Sequence, residues 1–477
     1  MKKRMTLKDH STTGREKSPP TLDTGIRCWG ACITSAVLLL INIGTINGFG
    51  VIMQDVQDHY NATFSQVAFV GSVLGAAKHL PSPLVGIVVD KIGYKCTGWI
   101  GSTMVIISMT ICYSVANFTI FCICYGLVMG LGFSFLFQPA KTCVAFFFKD
   151  KCALATGIAF TGGGLGYLVM PKIHLNLINS FGISGLFIGN ASILAALIPI
   201  ITFFHPGPKE VEVRREFLSS DKRIEDGKNG SYLTVLKRPA LWLFCAALLF
   251  TGLGNRFTSR LWIFSQLDFV SGGGHFIAVL YIPKLATDKL GVSKQESSDL
   301  IAILGIANVI GRFSVGWICQ KKIASPLFIY GFGCFSCALC TISYPFMTSY
   351  WGLASVVAFQ GLVKACYMGT QPLAALELFG IRFVNLVCGL LSFFIAIGSL
   401  GMSPLASYLY ETSLDSNLLA TFGVISTTYG VAAILDWTLW AFQRKRADKN
   451  YLQLMTAKNN TVQESEVAKP LLDKINE

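Results

Sequence analysis

The sequence predicts an all-α membrane protein with twelve transmembrane helices in two pseudo-symmetric six-helix halves. Three observations predict this fold class: an apolar composition, long apolar runs that recur along the chain, and an internal repeat. Of the 477 residues, 52% are hydrophobic and 14% are charged, and the mean hydropathy is +0.55. Soluble domains carry roughly 25% charged residues, so this chain lacks the polar surface that water requires.

Apolar runs of about 20 residues, long enough to cross a hydrocarbon core of roughly 30 Å, recur twelve times. They are 29–53, 66–87, 97–115, 119–147, 153–173, 185–204, one within 239–283, 299–319, 325–347, 351–373, 385–407 and 416–442. No cleavable signal peptide is expected in the polar, basic first 28 residues. The predicted organisation is an N-terminal tail (1–28), a first half (29–204), a central loop (205–238), a second half (239–442) and a C-terminal tail (443–477).

The seventh run is longer than one crossing needs. Leu241–Gly254 is too short to cross alone, since an α-helix rises about 1.5 Å per residue, and adding His275–Pro283 gives a crossing of normal length. We therefore expect residues 255–274 to be an insertion in helix seven. It is either a re-entrant or surface segment or a gene-model artefact.

The formal net charge of +13 raises the question of a nucleic-acid partner. With the N-terminus inside the cell, 29 Lys and Arg fall in the tails, the central loop and short inner loops, against three in the outer loops. This asymmetry follows the positive-inside rule and predicts that both termini and the central loop are cytoplasmic. The charge thus indicates topology, with membrane lipid as the surrounding partner and no nucleic acid.

The two halves share short motifs at a near-constant offset. Residues 86–91 (GIVVDK), after the second run, correspond to 316–321 (GWICQK), after the eighth, and Gln138-Pro139 corresponds to Gln371-Pro372. The first copy extends to 95. Its glycine permits close helix approach, its aspartate can cap a helix or pair with a base, and its lysines hold the loop in the cytoplasm. An ordinary basic turn is the alternative interpretation of Gly86, Asp90, Lys91, Gly93 and Lys95.

Ionisable groups inside apolar spans are costly and are therefore candidates for function. Lys78, Arg312 and Lys364 lie near mid-span, whereas Lys141 and Lys172 lie closer to the surfaces, where their ammonium groups can reach water. The one comparable acid is Asp436. A central cavity with several cations and little acid favours an anionic solute.

Arg312 is the strongest single candidate, because a guanidinium holds a carboxylate through two parallel hydrogen bonds. The alternative is a structural pair with a backbone carbonyl or with Asn308, one turn earlier. His79 precedes a helix break at Pro81 and Pro83 and could carry a proton, although packing is the commoner role of a membrane histidine. Further candidates for the cavity wall are the polar residues Asn42, Asn47, Gln138, Tyr367 and Gln371.

We expect no enzyme activity, cofactor or metal. The chain has no Ser-His-Asp, zinc-type or paired-carboxylate arrangement in a soluble domain. Cys334, Cys337 and Cys340 are spaced like part of an iron–sulfur motif, but they share one helix face with no fourth ligand near, which favours packing. The run 161–166 (TGGGLG) lies inside an apolar span, so we expect Gly162 and Gly166 to pack helices and not to bind phosphate.

Several stretches carry a family resemblance. Residues 126–166, with a glycine-rich helix, Phe-Gln-Pro, an aromatic run and a second glycine run, resemble the fourth and fifth helices of the monocarboxylate transporters (solute carrier family 16). Residues 371–380 and 401–411 resemble that family's tenth and eleventh helices, and 86–95 resembles the loop signature of the major facilitator superfamily. The resemblance implies the major facilitator fold and a plasma-membrane symporter of a small organic solute. Some relatives also need a single-pass ancillary glycoprotein.

Departures from the family bear on the substrate. Val51 stands where lactate-carrying members have a first-helix lysine, and Asn308 replaces the acid that precedes the helix-eight arginine. Proton-coupled lactate transport is therefore not expected. We instead expect the chain to transport another carboxylate by alternating access. The alternatives are a facilitator of a zwitterionic or aromatic metabolite and a non-transporting solute sensor, which the short tails disfavour.

Overall fold

The computed structural model describes most of both halves. The described residues are 26–148, 151–204, 282–283, 285–287, 289–411, 419, 422–441 and 444. The central loop, most of both tails and nearly all of the seventh predicted span, including the 255–274 insertion, lie outside them.

The described residues of the first half form helices and short connections. The elements are α1 (Ile26–Tyr60), α2 (Phe64–His79), α3 (Ser82–Ile92), α4 (Tyr94–Ser114), α5 (Phe118–Phe121), a π-helical segment (Cys122–Val128), α6 (Met129–Thr142), α7 (Val144–Phe147) and α8 (Cys152–Ile201). A capping box of Thr63 and Gln66 starts α2. A 40° bend, next to the predicted proline break at Pro81 and Pro83, separates α2 from α3.

The second half repeats this pattern. Its described elements are α9 (Lys294–Gln320), α10 (Pro326–Ser343), a 3-10 turn (Tyr344–Phe346), α11 (Tyr350–Phe379), a 3-10 turn (Ile381–Phe383), α12 (Val384–Glu411) and α13 (Phe422–Ala441). Serine side chains cap the start of three of these helices by accepting a backbone N–H: Ser293, Ser325 and Ser349.

Eleven of the twelve predicted spans have a helix in the described residues, and nearly all of the seventh lies outside them. Within the described part of the chain, eight helices are long and apolar enough to cross a membrane, and the bent pair of α2 and α3 makes a ninth. One of the eight, α8, is 50 residues long and leaves the helical conformation at Gly182 (φ 69°, ψ −170°). It therefore contains the fifth and sixth predicted spans, joined by a turn that only glycine adopts readily.

The distribution of side chains is inverted relative to a soluble protein. Large apolar groups face outward, as at Ile107, Phe313 and Trp317, whose exposed fractions are 52%, 52% and 48%. Charged groups are buried, among them Lys78, Lys141, Arg312, Lys364 and Asp436. Such an arrangement is stable when hydrocarbon surrounds the helices.

The two halves approach each other closely at two symmetric places. A Cβ on Gly86 of α3 would lie 2.6 Å from Asn385 O of α12, and a Cβ on Gly316 of α9 would lie 2.9 Å from Gly157 Cα of α8. Gly86 and Gly316 are the equivalent glycines of the internal repeat, so the duplication seen in the sequence is also present in the packing. As predicted, Gly162 and Gly166 pack helices; their neighbours are in α1.

Candidate functional site

Arg312 crosses the boundary between the halves. Its side chain is 1% exposed, and Nη1 donates a hydrogen bond to the Phe160 carbonyl oxygen of α8. Nη2 lies 3.7 Å from Met368 Sδ of α11, and the guanidinium carbon lies 5.6 Å from the Phe160 ring centroid. Nε has no hydrogen-bond partner in the part of the chain that the structure describes. The guanidinium thus retains unused donor capacity while buried.

Gly163 makes room for this guanidinium. A Cβ at this position would lie 2.6 Å from Arg312 Nη1 and 2.5 Å from Ile43 Cδ1. Distances this short force one of the neighbours to move. The middle glycine of the TGGGLG run therefore positions the candidate anion-binding group, while Gly162 and Gly166 serve the packing of α8 on α1.

Lys364 makes a second contact between the halves. Its ammonium, on α11, lies 3.3 Å from the Tyr167 hydroxyl of α8 and 5.1 Å from the Tyr167 ring centroid. The side chain is 2% exposed. Tyr167 therefore offers this cation a neutral hydrogen-bonding group and an aromatic face, which stabilise the charge without neutralising it.

In the first half, Lys78 and Lys141 share an aromatic ring. Lys78 Nζ lies 4.2 Å and Lys141 Nζ 5.8 Å from the Phe137 ring centroid. Lys141 Nζ also lies 3.4 Å from Ser392 Oγ of α12. Lys141 is 2% exposed, so the expectation that its ammonium reaches water at the surface is wrong. The other predicted surface lysine, Lys172, is exposed.

Each half contributes two buried cations: Lys141 and Lys78 in the first half, and Arg312 and Lys364 in the second. We call Lys141, Lys78, Arg312 and Lys364 the cation row. The hydrogen-bond acceptors that the structure gives Arg312 and Lys364 are neutral. A buried cation whose hydrogen-bond partners are neutral is costly, so Arg312 and Lys364 favour an anionic ligand.

The structure corrects the predicted role of Asn308. Its side chain is fully buried, but Nδ2 donates to the Gly361 carbonyl oxygen at 2.8 Å and not to the guanidinium of Arg312. Arg312 instead has the backbone carbonyl that sequence analysis gave as an alternative partner. Asn308 therefore ties α9 to α11 in this conformation and does not orient the arginine.

The remaining candidates of the cavity wall have structural partners. Asn42 Nδ2 donates to the Phe133 carbonyl at 2.9 Å, and Asn47 Nδ2 donates to Ile43, in its own helix, at 2.7 Å. The Tyr367 ring lies between the rings of Tyr330 and Tyr429, with centroids at 5.8 and 6.2 Å. Gln371 is buried, and His79 is half-buried with its ring 5.4 Å from Phe137. Of this group, His79 lies beside the cation row, because its ring contacts Phe137, the ring that Lys78 and Lys141 share.

Asn385 links the predicted loop motif to the second half. Asn385 Nδ2 donates to Asp90 Oδ1 at 2.6 Å, the Tyr94 hydroxyl donates to Asn385 Oδ1 at 3.0 Å, and Gln138 Nε2 donates to Asn385 O at 2.9 Å. Gly93, with φ 88°, separates α3 from α4. The motif therefore contacts the start of α12 through its aspartate and its glycine. Of its two lysines, Lys91 lies in the last turn of α3 and Lys95 lies over the Trp99 ring.

The second copy of the motif makes the equivalent contact. Gln320, at the position of Asp90, accepts a hydrogen bond of 3.4 Å from the backbone N–H of Leu154, at the start of α8. Each copy therefore contacts the N-terminus of a helix in the other half. The partial positive charge of a helix N-terminus suits both an aspartate and an amide oxygen.

Sequence analysis did not identify the aromatic residues beside the cation row as candidates. Phe137, Phe160 and Tyr167 supply the aromatic faces of the cation row. Only Phe137 gave a local signal, since it lies four residues before Lys141, one helical turn away. His174 was also missed: it is fully buried, with Nε2 3.2 Å from Asn190 Oδ1.

Within the described residues, no cluster of His, Cys, Asp or Glu could hold a metal ion.

Comparison with known families decides the identity of the fold. The model of the Major Facilitator Superfamily matches residues 35–347 and 267–468, which together span most of the chain. The chain belongs to the Major Facilitator Superfamily. This transporter is also similar along its length to the monocarboxylate transporters within that superfamily.

Two curated human proteins illustrate this similarity. Human monocarboxylate transporter 12 is 24% identical over 466 residues, which cover 94% of this chain and 86% of that protein. Human monocarboxylate transporter 7 is 22% identical over 424 residues, covering 81% of each. Among solved structures, the crystal structure of the human organic anion transporter MFSD10 (TETRAN) superposes with a TM-score of 0.66 at 12% identity, covering 87% of this chain and all of the other.

Proposed function

We propose that this transporter moves a small organic anion, a monocarboxylate-like solute, across the plasma membrane by alternating access. The observation that carries the proposal is the position of Arg312: a buried guanidinium held by neutral groups at the boundary between the halves. A carboxylate is the ligand that such a group binds best, through two parallel hydrogen bonds. The names of the monocarboxylate transporters and of the organic anion transporter are consistent with this solute class.

The contacts of the cation row suggest how solute binding would favour movement of the halves. Arg312, Lys364 and Lys141 each reach a neutral acceptor in the opposite half. A bound anion attracts these donors away from Phe160, Tyr167 and Ser392, because a charge-assisted hydrogen bond is stronger than a neutral one. The solute then replaces contacts that hold the halves in one arrangement, which is what alternating access around a central site requires.

Uptake into proteoliposomes tests the proposal. A panel of radiolabelled carboxylates is offered with and without a pH gradient, with empty liposomes and Arg312→Ala protein as controls. Saturable uptake of at least one carboxylate, absent from both controls, supports the proposal. Uptake of a zwitterionic or aromatic metabolite instead would favour the facilitator, and specific binding without any uptake would favour a sensor.

We further propose the orientation that the sequence favours, with both termini and the 205–238 loop in the cytoplasm. Some members of the resembled family need a single-pass ancillary glycoprotein, and co-expression with one can test whether this chain does. Protease added outside sealed right-side-out vesicles should leave a C-terminal tag intact; cleavage of the tag would reverse the orientation. Co-expression with a single-pass glycoprotein should raise the amount at the cell surface if such a subunit is needed.

A further inference from the structure

We propose that one end of the second half binds the headgroup of an anionic phospholipid, through Lys322 in the turn between α9 and α10 and Arg444 just beyond the end of α13. Both residues are exposed, and aromatic side chains connect their segments of the chain. The site lies at the surface and shares no residue with the cation row. Exposed basic groups beside aromatic side chains at a membrane surface suit the phosphate of a lipid.

Lys322 occupies a backbone conformation that lysine rarely adopts. Its φ is 55°, in the left-handed region, and its N–H donates to the Cys319 carbonyl at 3.1 Å, so that it closes the end of α9. Glycine is the usual residue at such a position, because a Cβ is sterically unfavourable there. A lysine in this conformation therefore points to a role for its side chain.

Apolar side chains flank the same turn on the outside of the helices. Trp317, in the last turn of α9, is 48% exposed, and Ile323, directly after Lys322, is 64% exposed. Because the chain spans a membrane, exposed apolar groups at this depth lie against lipid chains, and the adjacent lysine extends to the headgroups. The turn thus contacts both the apolar and the charged part of a phospholipid.

Direct contacts bring the end of α13 to this turn. The Ser325 hydroxyl accepts a hydrogen bond of 3.3 Å from the backbone N–H of Phe328, and the Phe328 ring centroid lies 5.1 Å from that of Trp440 in α13. The Arg444 guanidinium carbon lies 5.5 Å from the same Trp440 ring centroid. Ser325 comes three residues after Lys322, a distance of at most about 11 Å along the chain. These contacts place the two basic side chains on one patch of the surface, which we call the lipid patch.

The charge of the lipid patch selects among phospholipids. Lys445 and Arg446 follow Arg444 directly in the sequence, so this end of α13 is basic. Basic residues clustered beside the end of a membrane-spanning helix favour anionic over zwitterionic lipids. In the proposed orientation the lipid patch faces the cytoplasm, the side on which anionic lipids are concentrated. The partner is therefore an anionic phospholipid, with phosphatidylserine as its probe.

The test measures which lipid the purified full-length protein retains, by native mass spectrometry from mixed micelles of phosphatidylserine and phosphatidylcholine. Lys322→Gln and Arg444→Gln each remove one charge, and Lys322→Gly removes the charge while suiting the left-handed turn. Lys172→Gln is the matched control, because it removes an exposed lysine at the other end of the membrane span. Lys172 lies about 27 Å along α8 from Leu154, which contacts Gln320 beside the turn.

Wild-type protein should retain phosphatidylserine in preference to phosphatidylcholine. Each substitution at Lys322 or Arg444 should weaken this preference about fivefold, and the double Gln variant about thirtyfold, the factors that correspond to about 1 kcal/mol per basic residue. Lys172→Gln should leave the preference unchanged. Lys322→Gly should also raise the thermal midpoint in lipid-free detergent, which separates a lost lipid contact from a damaged fold.

Four outcomes would overturn the proposal. They are equal retention of the two lipids by wild-type protein, a full preference in Lys322→Gly, an equal loss in Lys172→Gln, and displacement of the lipid by inorganic phosphate, which would assign the patch to free phosphate. None of these measurements involves solute transport, so their outcome does not depend on the proposed function.

Discussion

Asn385 Nδ2 and Asp90 Oδ1 form a hydrogen bond of 2.6 Å between the two halves of the transporter. Asp90 lies in the last turn of α3 and Asn385 in the first turn of α12, so the contact joins the end of one helix to the start of another. Tyr94 and Gln138 bind the same asparagine from the first half. A carboxylate that accepts hydrogen bonds at a helix N-terminus is favoured by the helix dipole. This contact therefore stabilises the conformation that the structure describes.

Separating Asp90 from Asn385 should destabilise that conformation. Asp90→Ala and Asn385→Ala are each expected to lower the thermal midpoint in detergent, and the double variant should lose less than the sum of the two. The coupling should be about 1.5–3 kcal/mol, the usual value of a hydrogen bond to a charged group. Lys321→Ala, at the exposed last position of the second copy of the motif, serves as the control. Fully additive losses would show that the two side chains do not stabilise each other.

Arg312 should be required for solute recognition. Arg312→Ala, and also Arg312→Lys, is expected to reduce uptake by well over tenfold at normal surface expression. Removing one member of a desolvated charge pair costs about 2–5 kcal/mol, and a lysine cannot make the two parallel hydrogen bonds of a guanidinium. The measurement is initial uptake normalised to surface-biotinylated protein. Uptake by Arg312→Ala at the wild-type rate would remove this residue from the site.

The sequence predicted the helices well because hydropathy is a local property. A run such as 299–319 is recognisable from its own composition, and the mid-span cations Lys78, Arg312 and Lys364 stand out against it. All three are buried in the structure. The internal repeat was also readable, because Gly86 and Gly316 keep the same place relative to their spans.

What the sequence could not show are contacts between distant segments. Arg312 and Phe160 are 152 positions apart, and nothing in either run indicates that the carbonyl of one accepts from the other. Asn308 illustrates the same limit, because helical spacing placed it one turn from Arg312 but did not reveal that α11 lies closer to its amide. Lys141 was expected to reach water, and the approach of α12 with Ser392 explains why it does not.

Substituting Gly163 should weaken solute binding, because a larger side chain would displace the Arg312 guanidinium. Gly163→Ala is expected to raise the KM of uptake by about tenfold, the equivalent of 1.4 kcal/mol, because the new Cβ would lie 2.6 Å from Nη1. The new Cβ also meets Ile43 Cδ1, so Gly163→Ala with Ile43→Val removes that second clash. Gly430→Ala, where a Cβ meets nothing within 4 Å, is the matched control. If the double variant recovers wild-type KM, the clash with Ile43 and not with Arg312 explains the defect.

Uptake should respond only weakly to an imposed proton gradient. In lactate-carrying relatives the helix-eight acid can pair with the arginine or accept a proton, and an amide at this position cannot titrate. Asn308 is bound to the Gly361 carbonyl, so it offers no proton site beside Arg312. The titratable alternatives are His79, whose ring meets the Phe137 ring edge to face, and Asp436, buried where α13 packs beside Gly331 of α10. The expected ratio of uptake with and without an inward proton gradient is therefore close to one.

The proton-gradient experiment also identifies any residue that supplies a coupling site. If wild-type uptake does rise with the gradient, the rise should disappear in the His79→Gln, Asp436→Asn double variant, because these two residues are the titratable alternatives to the missing helix-eight acid. His174→Gln is the comparison variant: this histidine is fully buried, contacts Asn190 through Nε2 and packs beside Gly48 of α1. Strong proton-driven accumulation by the double variant would contradict the uncoupled mechanism, since neither Asn308 nor the two substituted residues could then carry the proton.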